Sequence, residues 1–102
     1  IPDPQYSNGE VTGSIANYLL LSLASKFSVS SLPKEDAGIV EEQDLIAIGS
    51  FNTLDSPSVL IEYGYIYEPQ FAMEAVRKTT LDGMAKQTFL GMQDFFAAKI
   101  AQ

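Results

Sequence analysis

Glu62 is the residue of this chain whose type and setting point most directly to chemistry. It follows the uninterrupted apolar run Val59-Leu60-Ile61 and precedes Tyr63 and Gly64. A run without polar alternation reads as a strand covered on both faces, the habit of parallel strands, and this places the carboxylate at the strand's carboxyl end. Ligands bind at that end in open α/β sheets, and a carboxylate there incurs a desolvation cost that solubility alone does not explain. Glu62 is therefore a candidate catalytic carboxylate. A solvated or ion-paired strand end is the plainer reading of the same position.

Tyr63, Tyr65 and Tyr67 alternate beside it. They either line a groove for sugar or peptide, offering apolar faces with polar tips, or act as half-buried packing groups. A second acidic concentration, Glu35, Asp36, Glu41, Glu42 and Asp44, lacks the alternating Asp/Asn spacing and central glycine of an EF-type calcium loop and reads as solvated surface.

The segment Pro57-Ser58-Val59-Leu60-Ile61-Glu62-Tyr63-Gly64-Tyr65, followed by Ile66 and Pro69, resembles the signature of the zinc-dependent N-acetylmuramoyl-L-alanine amidases. In that family P-[SA]-V-L-[VI]-E precedes a glycine turn and an N-P pair. Val40 to Ile48 resembles the family's preceding strand, and Met84-Ala85 to Gly91 with Phe95-Phe96 its closing helix. Four positions depart from the pattern. Glu68 stands where asparagine is common, Gln70-Phe71 replaces an acidic pair, and Tyr65 replaces a phenylalanine.

The resemblance implies an extracytoplasmic peptidoglycan hydrolase that cleaves the amide between N-acetylmuramic acid and L-alanine. Glu62 would act as general base and acid on a zinc-bound water, with Tyr63 and Tyr65 near the substrate. Family members hold zinc with two histidines and a glutamate lying N-terminal to the matched region, and this chain has neither histidine nor cysteine. Carboxylates alone suit calcium or magnesium better than zinc. The expectation is that residues 1–102 are a single domain or the C-terminal part of an amidase-like catalytic domain, with the metal ligands outside this chain. The opening Ile1 agrees with a processed or truncated product. The alternative is a non-catalytic cell-wall-binding or protein-interaction module derived from the same fold.

Composition narrows the partners. The chain has 102 residues, 46% hydrophobic, with five tyrosines and six phenylalanines, enough for a core of one small domain. Thirteen acidic against six basic residues give a net charge of −7, which argues against nucleic acid or an anionic membrane as partner. The longest apolar stretch, Ile15 to Ala24, is interrupted by Asn17 and Ser22 and is too short to span a bilayer. No signal peptide is visible, and without cysteine there is no disulfide framework from which to read a compartment.

The elements that must position Glu62 follow from pattern and punctuation. After an extended lead-in over Ile1 to Gln5, Ser7-Asn8-Gly9-Glu10 forms a capping box, so a helix starts near Asn8. Its apolar stripe comprises Val11, Ile15, Tyr18, Leu19, Ser22 and Leu23, widened by Leu20 and Leu21, and the helix is expected to pack on a sheet. Ser28 to Gly38 reads as a surface loop. Leu45-Ile46-Ala47-Ile48 is a second short strand ended by Gly49. Pro69 opens a helix bearing Phe71, Ala72, Ala75 and Val76. A final helix opens at Thr79 and buries Leu81, Met84, Ala85, Met92, Phe95 and Phe96, with Gly91 permitting close approach to the sheet.

The order α-β-β-α-α predicts an α/β fold, a partial and mostly parallel sheet flanked by helices. So few strands leave edges that another chain segment or self-association must cover.

Overall fold

The computed structural model describes residues 9–28, 38–39 and 56–100. Three helices run through them, α1 (Gly9–Ala24), α2 (Pro69–Ala72) and α3 (Glu74–Ile100).

α1 and α3 pack against each other as an antiparallel pair. Tyr18 meets Phe95 with ring centroids 6.1 Å apart. The Ser22 hydroxyl donates to the Gln87 carbonyl at 2.6 Å, and the Phe27 ring, just past α1, lies over Gly83. Partners therefore descend α3 as they ascend α1. The hydrophobic core among the described residues is Leu19, Met84 and Phe95. Gly91 sits at the crossing, where a Cβ would stand 3.0 Å from the Tyr18 carbonyl oxygen and 3.1 Å from the Leu19 Cα. The close approach expected of Gly91 is real, but its partner is the backbone of α1.

The expected α/β architecture is overturned: among the described residues there is neither a strand nor a parallel sheet flanking the helices. Val59-Leu60-Ile61 forms no strand among the described residues. Val59 and Ile61 are half-buried, while Leu60 (59% exposed) and Glu62 face outward. The run is thus covered on one side only. Hydrophobic composition without alternation suggests burial on two faces, yet here Leu60 occupies an outward position that a polar residue would normally take. Helix α1 packs on α3 rather than on a sheet, because an apolar stripe requires a cover without specifying its type.

The final helix begins at Glu74, five residues before the expected Thr79. Met73 (φ −85°, ψ 112°) is extended and breaks the chain between α2 and α3, and its carbonyl accepts the first bonds of α3 from Val76 (3.1 Å) and Arg77 (3.0 Å). The good helix formers Glu74, Ala75, Arg77 and Lys78 then carry the helix through the two threonines. Lys78 and Asp82, one turn apart across the expected start, form an exposed ion pair at 2.7 Å. The Asp82 hydrogen bond, with its charge, raises the Lys78 pKa. Pro69 does open a helix, but one that ends at Ala72.

The extended lead-in, the Ser7 and Asn8 part of the capping box, the strand expected over Leu45-Ile46-Ala47-Ile48 and the acidic concentration from Glu35 to Asp44 lie outside the described residues. Among the described residues, no helix is long and apolar enough to cross a membrane.

Candidate functional site

The segment holding Glu62 is a strap across the helix pair. Near one end, the Ser58 amide donates to the Thr12 hydroxyl of α1 at 3.3 Å. At the other, the Tyr63 hydroxyl and the Thr88 hydroxyl of α3 lie 2.6 Å apart. Thr88 spends its only hydroxyl proton on the Met84 carbonyl at 2.8 Å, so Tyr63 is the donor between them.

After Tyr63 the chain turns. Gly64 has φ +152°, a conformation that side chains make costly. A Cβ there would also lie 2.7 Å from the Phe71 ring and 2.8 Å from the Glu68 carboxylate. Glu68 closes the turn, since its carboxylate accepts the Tyr65 amide at 2.5 Å and the Gln70 side-chain amide at 3.1 Å. The Glu68 amide donates to the Tyr65 carbonyl at 3.0 Å. Glu68 is the organising residue of this turn, and the sequence showed it only as a departure from asparagine. Its place immediately before Pro69, the first residue of α2, was the available signal.

The three tyrosines do not act together. Tyr63 is tied to α3, whereas the rings of Tyr65 and Tyr67 stack with centroids 5.3 Å apart and planes 14° from parallel. Tyr67 is 70% exposed. Glu62 is exposed and points away from the helix pair.

Shallow hollows indent the described surface. One of about 210 Å³ lies between Glu10, Ser14 and Tyr18 of α1 and Phe95 and Lys99 of α3, and another of about 340 Å³ lies beside Phe27, Thr79 and Gln87. Glu62 lines neither. No three acidic side chains converge among the described residues, and the chain supplies no histidine or cysteine. These residues do not fit a zinc site.

Searches found no matching family model, curated protein or solved structure. The amidase resemblance thus rests chiefly on residues 57–65, and the sheet it implied is absent from the described residues.

Gly64→Ala is expected to loosen this turn without unfolding the helices. The backbone strain and the contact with Phe71 together cost about 1–3 kcal/mol locally. Limited proteolysis should then cut near residues 63–68 faster than in the parent protein while the far-ultraviolet circular dichroism stays helical. Unchanged protection would mean that the glycine is dispensable.

Proposed function

We propose that this chain is a non-catalytic protein-interaction module, a helix pair whose long helix offers a second apolar face to a partner. One observation carries the reading. α3 is apolar on two sides, and α1 covers one of them while Leu81, Phe89, Phe96 and Ile100 stay exposed on the other. Large apolar side chains grouped on one exposed helix face mark interaction surfaces. The uncovered setting of Glu62 supports the same reading, since the carboxylate is exposed among the described residues and lines neither hollow.

A second reading is favoured by the order Glu62-Tyr63-Gly64 in the Pro57–Tyr65 motif, with Gly64 at a positive φ that turns the chain just after the carboxylate. In it, segments outside this chain complete an extracytoplasmic peptidoglycan amidase, and Glu62 is its general acid and base. One experiment separates the two. The native protein from its source is incubated with purified peptidoglycan, and newly freed L-alanine amino groups are counted, with zinc content measured on the same sample. The module reading expects no release and no stoichiometric zinc. Release that is lost in Glu62→Gln, with zinc retained, would establish the amidase instead.

A further inference from the structure

We infer that the outer face of α3 pairs with the same face of a second copy of this chain, the two helices running antiparallel. This rests on the interaction-module reading and names its partner.

Leu81, Ala85, Phe89, Met92, Phe96 and Ile100 recur along α3 at steps of four, four, three, four and four residues. At 100° per residue they fill an arc of about 100°, centred about 110° from the arc of Met84, Gly91 and Phe95 that faces α1. Phe89 is 61% and Ile100 83% exposed. The stripe is about 28 Å long, enough for a continuous helix-to-helix seam.

The stripe is also complementary to itself. With a two-fold axis between the levels of Leu90 and Gly91, Leu81 meets the second copy's Ile100, Ala85 meets its Phe96, and Phe89 meets its Met92. A small residue thus faces a ring, and a ring faces a thioether. Asp82 and Lys99 of opposite copies fall at the same level. A hetero-partner would not require this internal symmetry.

Charge favours α3 as the helix of contact. α3 carries Arg77, Lys78, Lys86 and Lys99 against Glu74, Asp82 and Asp94, a net of +1. The rest of the chain holds the other ten acidic and two basic residues of the 13 and 6 in total, a net of −8. Two copies of so acidic a chain approach each other with least repulsion along α3.

Sedimentation equilibrium of the full chain from micromolar to millimolar concentration tests the pairing. The expected result is a monomer–dimer equilibrium, with a species of twice 11.1 kDa. Phe89→Glu, at an exposed position, should keep the helical circular dichroism and weaken the dimer by about a hundredfold. Orientation is read by mixing. Ala85→Cys protein should oxidise to a covalent dimer with Phe96→Cys protein, and neither should do so alone. A wild type that stays monomeric overturns the proposal, as does a dimer indifferent to Phe89→Glu. Cross-linking of Ala85→Cys to itself also overturns it by showing parallel helices. A monomer destabilised by Phe89→Glu would overturn it too, by showing that the face is covered within one chain. None of these outcomes depends on peptidoglycan release, so failure of the pairing and failure of the module reading remain distinct.

Discussion

Gly91→Val should unfold much of the helix pair, and even Gly91→Ala should weaken it. A Cβ at residue 91 would stand 3.0 Å from the Tyr18 carbonyl oxygen, 3.1 Å from the Leu19 Cα and 3.1 Å from the Ser22 Cβ. The first two are backbone atoms, so no rotamer change relieves the contact and α1 itself must move away. That movement pulls on the Ser22 hydrogen bond to Gln87 and opens the packing of Leu19. Alanine gains about 0.5–1 kcal/mol in helix propensity over glycine, against an overpacking cost of about 1–3 kcal/mol. The net effect of Gly91→Ala is a loss of about 1–2 kcal/mol, and valine's two further methyl groups enlarge it. Gly83 provides the control, because a Cβ there meets only the tip of the Phe27 ring, at 3.2 Å. Gly83→Ala should be neutral or stabilising by up to about 1 kcal/mol. Urea unfolding of the three variants settles the comparison. A Gly91→Ala protein as stable as the parent would mean that α1 does not approach α3 at this distance.

Phe95→Ala should cost about 3–4 kcal/mol, a large share of the roughly 5–15 kcal/mol that holds a domain together. The ring is 6% exposed in a described core of only three hydrophobic side chains. It meets the edge of Tyr18 at 6.1 Å and packs against Phe96 at 5.1 Å. The Lys99 ammonium lies 6.0 Å from its centroid. Alanine would leave a cavity that neither helix can fill alone. Phe89→Ala, six residues before the buried Phe95 and 61% exposed on the outer arc, should change the stability of the monomer by no more than about 0.5 kcal/mol. Equal losses at the two positions in denaturant titrations below the dimer range would contradict the assignment of inner and outer faces.

The helices were more legible in the sequence than their partners. The stripe through Tyr18, Leu19 and Ser22 marks α1, whose described residues begin at Gly9 beside the expected start near Asn8, and Met84 and Phe95 are buried as their periodicity implies. The same stripe carries no mark of what covers it, so a helix was mistaken for a sheet as the partner of α1. Val59-Leu60-Ile61 misled for a related reason. Three apolar residues look doubly buried in sequence, whereas their exposure alternates because the strap rests on the helices with one side only. Leu81 and Phe96 were assigned to the core by periodicity, yet they lie on the outer arc of α3. A helix apolar on two sides does not reveal by period which side is occupied. At the candidate site, the sequence singles out Glu62, Tyr63 and Tyr65 by motif and alternation but carries no sign of how the turn at Gly64 separates the two rings. The glycine turn sends Tyr65 onto Tyr67 and leaves Tyr63 on Thr88.

The hydrogen bond from Ser22 to Gln87 joins residues 65 apart in the chain, and this separation bears on how the molecule folds. Closing a loop of that length costs about 2 kcal/mol more in chain entropy than closing the five-residue connection of a simple helical hairpin. Docking α1 onto α3 directly is therefore a slow, nonlocal event for an otherwise helical chain. The strap offers a shorter route. Tyr63 and Thr88 are only 25 residues apart, so their contact closes a smaller loop, and with the strap held on α3 the Ser58–Thr12 contact, 46 residues apart, can bring α1 in across a shorter loop than direct docking. On this route the segment carrying Glu62 is an assembly guide, and Tyr63→Phe is expected to slow refolding more than it speeds unfolding, as stopped-flow rates would show.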